Sequence, residues 1–430
     1  MKLQRFGQVL IHACGKDATR LAAQGVGGER EDGRASPVAG PARCLLLADG
    51  LAVAIAEAHR AGIPVIMITG DHPRTAARIA ADLGIVEPGT SALSGFELDA
   101  LDEAAFAEAM RTTSVFARVS PTHKLRIVGA LQARREIVAM TGDGVNDAPA
   151  LQAAAIGVAM GRTGTEVTKE AARMILADDN FATLIVAVRE GRGTFDCIRK
   201  FLRYLLSSNM GEVLTVFLGV VGARLIGLTD AGGAVELPLL ATQILWINLV
   251  TDSGPALAMG AEPPGDDVMA RPPRRLGERV IDARMWSGVM QIGLAMALLT
   301  LLTMDLCLPG GLIAGTQDLA TARTAGFTVL VLAQLFNCVN ARSETVSAFS
   351  HLFVNRWLWG AVALALLLQI AVLHLAWLQL AFGTLALTAG QWLLCAALAS
   401  GVLWYSELRK AVGRWPTGRI RTPSLCPSAT

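Results

Sequence analysis

From residue 201 onward the chain is built of six apolar segments, about 201–223, 237–259, 285–306, 324–341, 357–380 and 386–406. A spanning helix needs about 20 mostly apolar residues, and backbone groups inside a bilayer have no water to bond. Segments of this length and composition therefore predict six membrane helices. Arg199, Lys200 and Arg203 precede the first, and Arg271, Arg274, Arg275, Arg279 and Arg284 fill the second loop. Arg342 and Arg356 flank the fourth loop, and Arg409, Lys410, Arg414, Arg419 and Arg421 follow the last segment, whereas the opposite loops offer Arg224 and Arg323. The positive-inside rule then puts the region before residue 201, the second and fourth loops and the C-terminus in the cytoplasm, with an inner (plasma) membrane as the expected location.

Residues 45–180 read differently. Apolar runs Val65–Ile68, Val115–Ala117, Ile137–Met140, Ile156–Ala159 and Met174–Leu176 alternate with helical patterns over Ala52–Ala61, Arg74–Leu83, Ala104–Met110 and His123–Arg134. That alternation predicts a largely parallel sheet covered on both faces. Residues 181–200 continue as a stalk helix into the membrane region, 201–410, and a cytoplasmic tail, 411–430, follows. Residues 1–44 show no sustained period and no apolar core for a signal peptide, so a poorly ordered leader is expected there. Gly25-Val26-Gly27-Gly28 lacks the strand and helix that a nucleotide loop requires. A net charge of +2 gives no reason to expect nucleic acid, and seven scattered cysteines without a Cys-x-x-Cys pair argue against a disulfide or zinc framework.

Two places carry chemistry. Residues 140–151, Met-Thr-Gly-Asp-Gly-Val-Asn-Asp-Ala-Pro-Ala-Leu, follow an apolar run with a turn bearing Asp143, Asn146 and Asp147. Such a turn stands at the carboxyl edge of a sheet, where α/β folds bind ligands, and its oxygen donors suit Mg²⁺ bridging to phosphate. In the apolar region, the first segment carries Asn209 and Glu212 at i, i+3, and the second Asn248, Thr251 and Asp252 at i, i+3, i+4. Pro255 weakens the backbone ladder beside them. Ionisable groups at membrane depth are costly and point to function. Two carboxylates, two amides and a hydroxyl fit Ca²⁺ or a similar hard cation; the plainer alternative is an interhelical lock with Glu212 protonated and bonded to Asn248. Asp305, near the outer end of the third segment, reads as a solvated helix end.

The 140–151 run resembles the hinge motif of P-type ATPases, cation pumps whose phosphorylation domain is haloacid-dehalogenase-like. Thr69-Gly70-Asp71 and Phe116-Ala117-Arg118-Val119-Ser120-Pro121-Thr122-His123-Lys124 resemble further segments of that family in the same order, and the resemblance spans roughly residues 50–410. It implies an α/β haloacid-dehalogenase-like partial phosphorylation domain followed by an all-α six-helix transmembrane bundle. It implies that Asp143 coordinates Mg²⁺ with Asn146 and Asp147 ordering its shell, and that Lys124 offsets phosphate charge. Thr69 and Gly70 would donate hydrogen bonds, Asp71 would hold their loop, and Arg118 would contact ATP. Ser207 to Glu212 and Asn248 to Asp252 resemble the fifth and sixth membrane helices of calcium pumps. Gln334 falls where two-site calcium pumps carry a glutamate, which implies one cation site.

The family's phosphorylation motif Asp-Lys-Thr-Gly-Thr does not occur in this sequence. The nucleotide domain, the actuator domain and the first four membrane helices have no counterpart either. Asp49 follows the apolar run Cys44 to Ala48, as a nucleophile of the class would, but no Asp or Thr stands two positions on and Asp-Gly is a turn pair. The leading expectation is the C-terminal portion of a calcium-like pump, inactive alone, with an N-terminal half supplied by another chain or lost. An accessory cation-binding membrane protein, a membrane-tethered phosphatase and a gene remnant are the alternatives.

Overall fold

The computed structural model describes residues 6–12 and 41–414, apart from 230–231, 264, 266, 275–276, 314, 344–346 and 351–352; for 6–12, 41–49 and 413–414 it describes backbone only. Two compact units divide the chain: Met1–Phe195 with Pro264–Glu278, and Asp196–Pro263 with Arg279–Thr430. Helix α8, Phe181–Val221, belongs to both and is unbroken.

The first unit is a parallel sheet of seven strands: β1 Phe6–His12, β2 Val65–Ile68, β3 Leu93–Ser94, β4 Val115–Ala117, β5 Ile137–Gly142, β6 Ile156–Met160 and β7 Met174–Leu176. Their spatial order is β3-β4-β2-β1-β5-β6-β7. Five strands stand where the apolar runs predicted them; four of these, β2, β4, β5 and β6, lie inside the sheet, where burial on both faces favours an apolar run, and β7 is the edge strand. Helices α1 Pro41–Arg60, α2 Pro73–Asp82, α3 Gly95–Ala100, α4 Glu103–Thr112, α5 Pro121–Ala133, α6 Ala148–Ala153 and α7 Glu166–Ala171 connect them. Two separate apolar clusters, one around Ile55, Met67 and Val158 and one around Phe116, Ile127 and Met140, account for the burial of β2, β4, β5 and β6.

Two expectations are corrected. The leader contributes β1, which pairs with β2 and β5 in the middle of the sheet; residues 13–40 of that leader lie outside the described residues. Asp49 lies inside α1, so the run before it is helical and Asp49 does not end a strand.

The second unit is helical. After α8 come α9 Ala241–Trp246, a π-helical turn Ile247–Thr251, α10 Ser253–Gly260, α11 Ala283–Cys307, α12 Leu319–Asn340, α13 Arg356–His374, α14 Ala376–Phe382 and α15 Ala389–Arg414. Among the described residues, four helices are long and apolar enough to cross a membrane: α8, α11, α12 and α13. The expected second span is divided by the π turn, and the fifth breaks at Leu375. Helix α12 is the axis of the unit, with Phe327, Val329, Leu330, Val331 and Ala333 all 0% exposed.

Asp305 is a third correction. It is 2% exposed, and its carboxylate accepts the backbone N–H groups of Leu312 (2.7 Å) and Ile313 (3.1 Å). Those two donors replace water, which is why the acid can sit inside the turn that follows α11.

Candidate functional site

At the carboxyl edge of the sheet, the loops after β2, β4 and β5 converge through specific bonds. Thr69 is buried; its N–H donates to Phe116 O (2.9 Å) and its Oγ1 donates to Asp71 Oδ2 (3.1 Å). The Asp71 N–H returns to Thr69 Oγ1 (3.2 Å), so the short loop is clamped on itself, with Gly70 exposed at its tip. Beyond β4, the Ser120-Pro121-Thr122-His123 run forms a helix start. Ser120 Oγ accepts from His123 N (3.3 Å), His123 Nδ1 accepts from Ser120 N (3.1 Å), and Pro121 fills the first turn. A reciprocal cap of this kind fixes where the helix begins. Lys124 is thereby placed in the first turn of α5, facing inward and 5% exposed.

Lys124 Nζ donates to Asp147 Oδ1 at 2.5 Å, a pair in which Asp147 is 1% exposed. Asp147 Oδ2 accepts the Gly144 N–H (3.3 Å). Gly142, the last residue of β5, makes this possible: a Cβ there would lie 2.6 Å from Asp147 Cβ and 3.0 Å from its Oδ2. Asp143 is half-buried, its carbonyl holding Thr165 N (3.1 Å) and Thr168 Oγ1 (3.4 Å), so the acid is pinned through its backbone. Asn146 and Arg118 are exposed. Arg118 adopts φ 49°, in the left-handed region that non-glycine residues rarely occupy and that clusters at functional sites. Among the described residues no three His, Cys, Asp or Glu side chains gather into a metal cage. Mg²⁺ needs none, since it keeps several waters and takes one or two carboxylates plus phosphate oxygens. Asp143 and Asp147 beside a buried lysine fit that donor set.

In the second unit, Glu212 is 4% exposed and receives two amides: Asn248 Nδ2 to Oε2 (2.6 Å) and Gln334 Nε2 to Oε1 (3.0 Å). Three helical segments therefore meet at one carboxylate. Asp252, 1% exposed, accepts the Tyr204 hydroxyl at 2.8 Å, and Asn337 Nδ2 donates to Ser207 Oγ at 2.7 Å. Thr251 is buried, with its hydroxyl on Ile247 O (3.0 Å) inside the π turn. π turns interrupt helices at functional sites, and this one carries Asn248 and Thr251. Asn209 is exposed and makes none of these bonds. The sequence pattern missed Tyr204 and Asn337, which share helix faces with Ser208 and Gln334 at i+4 and i+3 and were legible only as spacing. Among the described residues, Gln334 Oε1 and Asn337 Oδ1 are buried oxygens without a donor, and the buried Ser208 hydroxyl lies beside Asp252 and Tyr204. Leaving such an atom unsatisfied costs about 1–3 kcal/mol, a cost that a water or an ion can offset.

The parallel sheet defines an α/β unit of the haloacid-dehalogenase-like class, followed by a helical unit in which four helices are long and apolar enough to cross a membrane. Residues 19–155 match the family described as haloacid dehalogenase-like hydrolase, and residues 236–412 match the C-terminus of cation-transporting ATPases. The chain is 43% identical over 347 residues to a calcium-transporting ATPase of Bacillus subtilis, covering 81% of this chain and 37% of that protein. A probable cation-transporting ATPase F of Mycobacterium tuberculosis is 42% identical, covering 82% of this chain and 38% of the relative. The mouse calcium-transporting ATPase type 2C member 2 is 38% identical, with 88% and 39% covered. The chain thus matches the C-terminal part of P-type calcium-transporting ATPase homologues and spans about 38% of their length.

Proposed function

We propose that this chain is the cation-binding and phosphate-handling portion of an ATP-driven pump for Ca²⁺ or a similar hard divalent cation, requiring further parts to complete an aspartyl-phosphate cycle. The observation that carries the reading is the buried group Glu212, Gln334 and Asp252, bonded through Glu212 to the exposed Asn248, whose oxygens have the hard chemistry calcium selects. Glu212 and Asp252 supply the charge, and Asn248, Gln334 and the hydroxyls complete the oxygen shell. A neutral amide at Gln334 limits the charge of the cluster to two carboxylates, which supports one cation rather than two. At the sheet edge, Mg²⁺ bound to Asp143 and Asp147 would supply charge neutralisation for a transferring phosphoryl group. Lys124 offsets that group's charge from the buried side, Thr69 and Gly70 present donors, and Asp71 keeps their loop closed. Arg118 would meet ATP.

In this reading the helical unit crosses the membrane six times, with the phosphate-handling unit and the C-terminus cytoplasmic in a plasma (inner) membrane. The domains would be a partial phosphorylation domain over 45–180 joined in its sheet by β1 from the 1–44 segment, a stalk over 181–200, the transport bundle over 201–410 and a tail over 411–430. An N-terminal half supplied by another chain would bring the acceptor aspartate. An interhelical lock is the second reading, favoured by the Asn248–Glu212 bond. Equilibrium ⁴⁵Ca²⁺ binding to the chain in lipid nanodiscs separates the two. Asp252→Asn and Glu212→Gln should each weaken binding at least about tenfold, the loss of one charged ligand. No saturable binding by the parent chain, or binding unchanged in both variants, would leave the lock.

A further inference from the structure

The cap that starts α5 closes with a histidine where the common form of this device has Glu or Gln. In that form the side chain at the third helical position ends on the N–H of the cap residue. Here His123 Nδ1 accepts the Ser120 N–H at 3.1 Å, and the ring has a second nitrogen to place. A bond accepted at Nδ1 leaves the ring proton on Nε2. Nε2 stands 2.8 Å from Asp99 Oδ1, on α3, and donates to it. The cap of one helix is thereby tied to another.

Helix α3 is seated on this turn. A Cβ on Gly95 would lie 2.5 Å from Arg118 O and 2.8 Å from His123 Nδ1, so the carbonyl and the ring rest directly on the glycine. Leu98 O accepts Arg126 Nη1 at 3.3 Å, two residues beyond Lys124. The start of α3 is itself fixed: Ser94 Oγ accepts from Glu97 N (3.3 Å), Glu97 Oε2 accepts from Ser94 N (2.7 Å), and Ser94 pairs with Ala117 of β4. The first backbone bond of α5 is made by Lys124, whose N–H donates to Ser120 O at 3.2 Å. The direction in which Lys124 leaves the backbone, toward Asp147, is set at the residue that His123 caps.

We propose that Asp99 and His123 are a positioning pair for Lys124. Asp99 holds the ring with its proton on Nε2, the ring holds the Ser120 turn, and the turn aims the lysine at the sheet edge. Both residues act through Lys124. A glutamate at position 123 would cap the helix and stop there, whereas histidine carries the constraint on to α3. What Lys124 does for a phosphoryl group rests on the reading of this chain as part of a pump.

The test is the rate at which Lys124 is acetylated in the full chain in nanodiscs, read by mass spectrometry. Asp99 is 65% exposed, so Asp99→Ala should leave the melting temperature unchanged. It should nevertheless raise the Lys124 rate about fivefold, the equilibrium worth of one ordinary hydrogen bond. Asp99→Asn keeps an acceptor oxygen and should stay within about twofold of the parent. His123→Glu keeps the cap but has no donor for Asp99; it should raise the rate at least as much, and adding Asp99→Ala to it should raise the rate no further. Histidine-selective ¹⁵N NMR supplies a second readout at about pH 8, where free imidazole is neutral. One of the six rings, assigned by its loss in His123→Glu, should carry its proton on Nε2. A proton on Nδ1 instead, or a Lys124 rate that Asp99→Ala leaves unchanged, overturns the pair. A melting temperature that falls in step with the Lys124 rate overturns it too, since the contact would then serve general stability. Calcium binding on the same preparations keeps the two readings apart: a chain that binds calcium while Lys124 ignores Asp99→Ala loses the pair alone.

Discussion

Removing Lys124 tests whether the sheet edge is organised by one buried charge pair. The pair is 2.5 Å long between groups 5% and 1% exposed, and Asp147 has Gly144 N–H at 3.3 Å as a further donor. Lys124→Met keeps most of the side-chain volume and strands the carboxylate inside the fold. Breaking a buried pair by removing one partner costs about 3–5 kcal/mol, against at most about 1 kcal/mol for an exposed one. Opening of the segment from β5 through α6 should therefore become roughly 10²- to 4 × 10³-fold easier, at about 1.4 kcal/mol per factor of ten. The assay is hydrogen exchange of residues 137–153 in the intact chain, compared with the Asp147→Asn variant and the double variant. Because the double variant leaves no unpaired charge, it should recover much of the loss, giving a coupling energy of about 2 kcal/mol or more. A cost below about 1 kcal/mol with additive single effects would refute the argument, since the pair would then behave as a screened surface contact.

Gly142→Ala should cost about 1–3 kcal/mol, because its new methyl would overlap Asp147 at 2.6 Å; faster exchange at residues 140–147 checks this, and parent-like exchange would count against the close approach. Asp305→Ala removes a buried carboxylate acceptor from the Leu312 and Ile313 N–H groups and should destabilise the turn after α11 by about 1–3 kcal/mol, read as a lower melting temperature in detergent; Asp305→Asn should recover part of it. The Met285 N–H, followed by burial in opposition and then Arg199, sets Asp282 below its ordinary pKa of 3.8. Its stabilisation is therefore full above about pH 4 and fades as pH falls through the lower folded value. Asp282→Ala should lower stability near neutrality by about 1 kcal/mol, the usual cost of an N-cap, and the difference from the parent should shrink in acid. A gap that widens in acid would contradict the sign.

The strands β2, β4, β5 and β6 were legible in the sequence because burial on both faces demands uninterrupted apolar residues, and the edge strand β7 was legible as a short apolar run despite its exposed Ile175. The acids at the ends of two apolar runs were legible for the same reason, since a strand that stops must stop somewhere polar. Local capping also reads directly: Ser120, Pro121 and His123 dictate the start of α5 through bonds spanning three residues. Tertiary structure decided the rest. No local pattern makes Phe6–His12 a strand; its ladder partners are Val65–Ile68 and Ile137–Met140, far along the chain. Lys124 and Asp147 meet only because two loops of one sheet edge converge. Asn209 and Glu212 share a spacing of three residues, yet one is exposed and the other buried. Three residues advance about 300° around a helix, leaving them about 60° apart, and the positions of α12 and the π turn determine which of the two is covered.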